Sequence, residues 1–442
     1  MTHYWSARRI AMALSWPSFR LRKRARSPSE IAIWRSLLWG VVVLGWCSAT
    51  HGAELDARLK WFGSLSALPE EDLQRQRSGT PAFDDNFDLR LMLRHRSGPF
   101  SVLADHSTTL VRGDSLATGA FGVTLNQAAV SDSRRLLDLT WELSEGDNHL
   151  LVHRLDRLAV NYRQGPWGVT VGRQPVSWGN GLVFQPLDLF NPFAPTTVDQ
   201  DYKAGDDLLL VERALSGGGN LQLLAVGRRD ELGKRSASTA SVAVKLHRFV
   251  GRGELEMVVA RHLEDRVLGA ALRFPVGSAL VRSDLLATRL ETGTWKLSGI
   301  VNIDYSLMLA DRNLYLFGEY FHNAFGVERL PDDPAKYPTA LIDRLERGEI
   351  FNLMRDYLAV GGTLEWHPLW SQSTILIGNF NDGSLLLQAQ LSHEPGDHQR
   401  VDVGLVEPLG STGDEFGGVP VAAERLTLGG GTRLYLRWAY YF

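Results

Sequence analysis

The chain has 442 residues, of which 44% are hydrophobic and 43 are glycine, with 47 Lys and Arg against 50 Asp and Glu and a single Cys. The apolar fraction excludes disorder over most of the length. A net charge of −3 gives no basic field to attract a polyanion, so we expect no nucleic-acid partner.

The first 53 residues differ from the rest. Residues 1–35 carry eight Lys and Arg, and an apolar run follows at 36–47. A basic stretch followed by a short apolar core and small residues predicts a secretory signal peptide over 1–53. The alternatives are a membrane anchor, for which the run falls short of about 20 residues, and a true start at Met12. Because Cys47 lies in this segment, the exported chain contains no cysteine, which excludes disulfides and Cys-bound zinc.

From residue 54 onward, apolar and polar residues alternate repeatedly, as between Trp295 and Tyr305. Alternation indicates a sheet with one apolar and one polar face. The runs mostly reach 9–14 residues, which suits a tilted membrane strand of about 9–11 residues better than a sandwich strand of about 5–6. We therefore predict that residues 54–442 form one all-β domain, a transmembrane antiparallel up-and-down β-barrel.

Nineteen alternating segments can be counted, among them one at 135–144. Single-chain bacterial barrels normally have an even number of strands. An odd count also places the N-terminus outside the cell, so the error lies before residue 163. Either one segment there is not a strand, or 119–128 contains another. We predict 18 strands, with 16 and 20 as alternatives.

The connection at about 177–206 is too apolar for a freely solvated loop, and its prolines prevent regular pairing. We expect it to fold into the barrel mouth and narrow the lumen; the alternative is a cap on the rim. The predicted constriction residues are Trp178, Asp188, Phe190, Asn191, Asp199 and Asp201.

The polar faces of the strands carry both charges, and we expect them to line the lumen. The predicted lumen-facing residues are Arg58, Arg90, Arg157, Lys245, Arg282, Lys296, Arg437, Glu256 and Asp304. Two interpretations remain open. These charges either stiffen a hydrated barrel as salt bridges, or form a field that sorts solutes by charge.

The last ten residues alternate and close on a terminal aromatic residue, with Trp438, Tyr440 and Phe442 on the apolar face. This ending resembles the signal strand by which bacterial outer-membrane barrels are recognised for assembly. The resemblance implies two partners, the lipid bilayer of the outer membrane and the barrel-assembly machinery.

Two motifs lie at the start of the predicted loop and within it. They are Gly172-Arg-Gln-x-x-x-Trp178-Gly and Pro186-x-Asp-x-Phe-Asn-Pro192-Phe. Together with Asn381-Asp-Gly-Ser-Leu and Gly413-Asp-Glu-Phe-Gly417, they resemble porin-like outer-membrane proteins related to the alginate-export barrels. The resemblance implies about eighteen strands, an inward-folded segment and diffusion of polar or anionic solutes. It does not imply alginate itself, because acids accompany the basic residues here.

Motifs for catalysis, phosphate binding or metal binding are absent from the sequence, so we expect no enzyme activity, no cofactor and no metal. A short helix is predicted at 340–347, with its charges on a solvated face. We predict an outer-membrane porin for passive diffusion or export of small polar or anionic solutes. The alternatives are a structural or partner-binding barrel and an outer-membrane barrel enzyme.

Overall fold

The computed structural model of the chain describes residues 52–118, 132–230, 232–421 and 426–442. Most of the predicted signal peptide and the stretch 119–128 lie outside the described residues. In chain order the strands are β1 (Ala53–Ala67), β2 (Ala82–Ser97), β3 (Phe100–Gly113), β4 (Thr140–Glu145), β5 (His149–Gln164), β6 (Trp167–Gln174), β7 (Asp206–Ala214), β8 (Asn220–Gly227), β9 (Ser241–Val250), β10 (Gly253–His262), β11 (Asp265–Val276), β12 (Ala279–Arg289), β13 (Trp295–Leu309), β14 (Arg312–His322), β15 (Asp356–His367), β16 (Trp370–Asn379), β17 (Leu385–Gly396), β18 (Gln399–Leu409), β19 (Val419–Pro420), β20 (Thr427–Leu428) and β21 (Thr432–Tyr441). The helices are α1 (Leu73–Ser78), α2 (Asp114–Thr118) and α3 (Thr339–Arg347), and a 3-10 turn spans Pro334–Lys336.

Eighteen of the described strands form a closed antiparallel ring. β21 pairs with β18 on one side and with β1 on the other, so the last strand joins the first. β3 pairs directly with β5, and β19 with β20 forms a separate two-residue ribbon outside the ring. The ring confirms the predicted all-β up-and-down barrel of 18 strands.

The predicted strand at 135–144 is wrong, because this segment does not span the barrel. β4 covers only six residues and pairs only with the first half of β5. Before it, the backbone of Arg135 forms an isolated antiparallel β-bridge with that of Arg228, just beyond the end of β8. The segment continues the wall above β6 and β7, which have only eight and nine residues.

Arg173 on β6 holds this rim segment in place. Its side chain is 0% exposed. Nε donates to Asp207 Oδ1 at 2.9 Å, Nη1 to Asp132 Oδ2 at 2.8 Å, and Nη2 to the carbonyl oxygen of Leu137 at 2.8 Å. The paired charges compensate for the cost of burying the guanidinium, and they explain the arginine in the Gly172-Arg-Gln motif.

The two ends of the barrel differ. The described N- and C-terminal strand ends lie at one end, which also carries turns of two to five residues, including Gly165-Pro166. The connections 175–205, 323–355 and 410–431 leave the opposite end. Among the described residues, no helix is both long enough and apolar enough to cross a bilayer.

The outward face of the barrel is apolar. Val301, Leu285 and Val403 lie on it and are 50% or more exposed, at 56%, 52% and 51%. Exposed aromatic residues such as Phe100 and Trp167 stand at the end with short turns. An apolar band bordered by aromatic side chains is the surface that a bilayer requires of a barrel.

Arginine substitutions on the two faces of β15 should therefore differ in effect. Val360 points outward and is 42% exposed, whereas the hydroxyl of Thr363 points inward to that of Ser373. Val360→Arg should lower the free energy of unfolding by about 2–4 kcal/mol if this position lies near the midplane, while Thr363→Arg should change it little. Denaturant titration of both variants in lipid vesicles measures the difference. Equal losses would indicate a soluble sandwich, in which both faces are dry.

The C-terminal strand lies where the ring closes. Trp438 pairs with Trp61 of β1 and Val401 of β18. The rings of Tyr440 and Phe442 meet at 4.7 Å between centroids, and Phe442 is 66% exposed. These positions are accessible on the outer surface, and their role as an assembly signal stays a prediction.

Candidate functional site

The connection between β6 and β7 is an insertion into a hairpin. Gln174 and Asp206 are direct cross-strand partners, so a tight turn could join them. Residues 175–205 lie between them instead, and we call them the inner loop. Its contacts lie on inward-facing residues of both halves of the ring, from β12 and β14 to β17, β21 and β1.

The first half of the inner loop packs against an apolar part of the wall. Trp178 and Phe190 are buried and meet edge to face at 5.4 Å between ring centroids, and Trp178 Nε1 donates to Gln222 at 3.2 Å. The wall side of this cluster comprises Leu208, Leu210, Leu224, Val226, Ala243, Val258, Ala260, Val267, Ala271 and Leu286. The inward faces of β7 to β12 thus carry apolar side chains in addition to polar ones, and the loop covers these apolar side chains and excludes water from them.

Three wall residues on adjacent strands bind the backbone of the inner loop. Glu319 of β14 accepts hydrogen bonds from the N–H groups of residues 182, 183 and 184 at 2.7, 2.9 and 2.7 Å. Asp284 of β12 accepts from the N–H of Asn180 at 2.8 Å. Between them, Asn302 of β13 donates to the Asn180 carbonyl at 3.2 Å and to Glu319 at 2.9 Å. We call these three residues the backbone clamp.

The second half of the inner loop meets a basic wall. Asp199 pairs with Lys60, and Asp201 pairs with Arg437 and with Arg58, the latter at 3.2 Å. The network continues along the wall, since Arg58 also pairs with Asp88 at 2.8 Å and Arg437 with Asp402 at 2.8 Å. Burial disfavours the charge on Asp199, but Lys60 and Arg437 outweigh it, so the pKa of this carboxyl lies below its usual value.

Tyr202 of the inner loop is held between two arginines. The guanidinium carbon of Arg90 lies 3.4 Å from the ring centroid and that of Arg157 lies 4.3 Å from it. The hydroxyl donates to Asp105 of β3. Cation–π contacts of this kind are worth more in a desolvated site than at a surface, so Tyr202 fixes the end of the loop.

Asp188 and Lys203 form an ion pair within the inner loop. Both side chains are buried, and Lys203 Nζ also donates to Ser177 at 2.9 Å. Burial raises the pKa of Asp188 to about 6 and lowers that of Lys203, although each charge favours the other. Asn191 donates from Nδ2 to Asp206 at 2.9 Å and has a positive φ of 56°.

A second connection, 323–355, also folds inward and carries α3. The predicted helix is confirmed, but its solvated face is wrong for Arg344, which is 6% exposed. Arg344 pairs with Asp265 and lies 3.9 Å from the centroid of Phe325. Arg347 Nε donates to Glu349 at 2.6 Å. The reason is that the helix packs into the barrel mouth, where each buried charge finds a partner.

The other predicted lumen-facing residues lie away from the second half of the inner loop, on the inward face of β9 to β13. Lys245 pairs with Glu256 at 3.3 Å, and Arg282 pairs with Asp304. Lys296 lies on the same face of β13 as Ser298 and Asn302. Four of these residues form two ion pairs, one between β9 and β10 and one between β12 and β13, so the structure groups the predicted lumen residues into two separate sets.

A cavity of about 420 Å³ lies between the inner loop, the end of α3 and the wall of β1 to β5. The described residues that line it include nine Lys and Arg against six Asp and Glu. The basic ones are Arg58, Lys60, Arg90, Arg134, Arg135, Arg154, Arg228, Arg229 and Arg347, and the acidic ones are Asp88, Asp156, Asp199, Asp206, Asp230 and Glu346. The cavity therefore has an excess of positive charge.

Six lining side chains have buried polar atoms without a hydrogen-bond partner among the described residues, namely those of Arg58, Asn86, Arg90, Arg154, Asp199 and Arg229. Both amide atoms of Asn86, which is 1% exposed, make no hydrogen bond, and neither does Nη2 of Arg154. Arg154 forms an ion pair with Asp156, with 2.9 Å between Nε and Oδ1, but this contact lacks hydrogen-bond geometry. Buried donors are normally satisfied, so these atoms are positioned for a bound solute or water. The described residues contain no group of His, Cys, Asp or Glu that could hold a metal.

Sequence reasoning missed Glu319, Asn86, Arg154 and Tyr202. Alternation along β2, β5 and β14 places the first three on inward faces, so their orientation was accessible. Their roles were not, because each depends on a contact far along the chain; Glu319 and the loop amides are 135 to 137 residues apart.

Neither a family model nor a curated protein matches the sequence. Among solved structures, vanillate-bound OpdK of Pseudomonas aeruginosa is 12% identical with a TM-score of 0.48, over 88% of this chain and 98% of that one. A BenF-like porin from Pseudomonas fluorescens Pf-5 is 10% identical, at 0.48, over 88% and 98%. OccAB1 of Acinetobacter baumannii is 8% identical, at 0.49, over 90% and 99%. A likeness this distant concerns the barrel fold and leaves the solute to be argued from the cavity.

Proposed function

We propose that this barrel is an outer-membrane porin through which small polar or anionic solutes diffuse. The closed ring with an apolar exterior suits a bilayer, and its interior is divided by the inner loop. The observation that carries the proposal is the 420 Å³ cavity with its basic excess and the unpartnered donors of Asn86 and Arg154. This volume falls within the range of small-molecule sites, roughly 300–1,000 Å³.

Planar-bilayer recording of the refolded protein tests this function. A stable current with a reversal potential on the anion side is expected in a salt gradient. Arg154→Gln should reduce the anion preference, because it removes a charge that faces the cavity. Arg312→Gln, the same change on an exposed residue at the opposite end, should not. A sealed bilayer would favour the alternative of a structural or partner-binding barrel.

Neutralising two acids of the inner loop should shift ion selectivity further towards anions. Asp188→Asn with Asp199→Asn removes two negative charges and releases Lys203 and Lys60 from their pairs. Asp311→Asn with Asp397→Asn makes the same change in exposed turns and serves as the control. Reversal potentials in a salt gradient compare the pairs. Unchanged selectivity in the loop variant would mean that the inner loop does not line the ion path, and its role as a constriction would be withdrawn.

Three finer statements remain predictions. They are the relation to the alginate-export barrels, recognition of the C-terminal strand by the barrel-assembly machinery, and the absence of enzyme activity. The first derives from the sequence motifs, the second from Trp438, Tyr440 and Phe442, and the third from missing catalytic motifs.

A further inference from the structure

The outward residues of β2, β3 and β5 form seven rows from one end of the barrel to the other. The pairing register places Asp85, Arg112 and His149 in the row nearest the long connections, and Ser97, Phe100 and Tyr162 in the row nearest the short turns. His153 lies in the third row beside Thr108, and His106 lies in the fourth. Two histidines thus stand at mid-height on the face that the bilayer would cover.

These imidazoles are incompletely hydrogen-bonded. Thr108 Oγ1 lies 2.7 Å from Nδ1 of His153. The ring centroids of His106 and His153 are 5.1 Å apart. Within the part of the chain that the structure describes, neither ring nitrogen of His106 has a partner, and neither does Nε2 of His153. Hydrocarbon offers them none either, and an unsatisfied polar group is costly there.

The rest of the outward surface differs from this patch. On the other described strands of the ring, every outward-facing Asp, Glu, Lys, Arg or His lies within three residues of a strand end. Mid-height positions there hold residues such as Met257, Val301 and Val403. Ionisable residues at membrane depth generally face a protein partner or water rather than lipid.

We infer that the face formed by Thr108, His106 and His153 is the interface of a two-fold dimer of this chain. Copies inserted in the same direction are related by an axis along the membrane normal, so a residue meets only residues at its own height. A head-to-tail ring would need a second polar patch at mid-height, and the other described strands have none. A two-fold axis brings the patch of one copy against the same patch of the other. Because neutral imidazole is both a donor and an acceptor, the histidines of the two copies can hydrogen-bond to each other.

This inference rests on the membrane location proposed above, so insertion is checked separately. The full chain is refolded into nanodiscs, and a faster mobility in unheated detergent gels reports a folded barrel independently of its oligomeric state. The background variant is Cys47→Ser, which leaves no other cysteine in the chain. Thr108→Cys should then give cross-linked dimers on oxidation, whereas Val301→Cys, at mid-height on β13, should not.

A second variant pair tests the chemistry of the patch. His106→Leu with His153→Leu should weaken dimerisation at least about tenfold in lipid dilution, since apolar faces have little driving force to associate in lipid. Leu285→Ala with Val403→Ala, on other strands, should leave it unchanged. Folded wild-type protein that stays monomeric, or equal cross-linking from Thr108→Cys and Val301→Cys, would overturn the inference while leaving channel function untouched.

Discussion

Glu319→Ala is expected to release the inner loop without opening the barrel. The carboxylate is fully buried and accepts three backbone N–H bonds, so its removal leaves three buried donors unsatisfied. Each such donor costs about 1–3 kcal/mol, so docking of the loop should weaken by on the order of 3–9 kcal/mol, and by less where water reaches the donors. Hydrogen exchange at residues 182–184 should accelerate strongly, and bilayer currents should become noisy.

The control for this variant is Glu394→Ala, which removes a carboxylate whose side chain is 56% exposed. It should change neither exchange nor current. The temperature at which the barrel unfolds in detergent should be the same in both variants as in the wild type, because the hydrogen bonds between the strands remain intact. Protected amides at 182–184 in Glu319→Ala would show that apolar packing alone holds the loop, and the backbone clamp would lose its assigned role.

Alternation in the sequence predicts the barrel because it is repeated in nearly every strand. The odd positions from Trp295 to Tyr305 are apolar, and β13 turns them outward. The same pattern misleads at 135–144, where Leu137, Trp141 and Leu143 are 43%, 48% and 41% exposed on a rim segment. Alternation reports a two-faced extended segment, and it does not report whether neighbouring strands are long enough to pair with it.

The candidate site is less predictable because its residues act in pairs remote in sequence. The apolar composition of the inner loop indicates that it needs a protein surface, yet β14 reads as an ordinary strand around Glu319. What makes this carboxylate important is its position opposite three free N–H groups that prolines and a non-repetitive backbone leave without partners. That complementarity exists only once the barrel has closed.

Replacing residues 176–204 by a four-residue Gly/Asn turn should raise single-channel conductance several-fold. Gln174 and Asp206 are already paired, so the hairpin can close without moving the wall. The replacement removes the apolar mass around Trp178 and Phe190 from the lumen. It also removes Asp199 and Asp201, which pair with the wall residues Lys60, Arg58 and Arg437. Because these basic side chains then face the lumen without their acidic partners in the loop, anion selectivity should rise together with conductance.

Deletion of Gly217 and Gly218, exposed residues in the β7–β8 turn at the opposite end of the barrel, is the control and should leave the current unchanged. The two deletions differ in whether the removed chain contacts the inward wall, so only obstruction of the lumen predicts different currents. The shortened loop uncovers part of the apolar wall of β7 to β12, and some loss of stability is expected from it. If the variant that lacks residues 176–204 folds, inserts and still conducts like the wild type, solutes pass through a part of the lumen that the inner loop does not reach. The cavity would then not be their route.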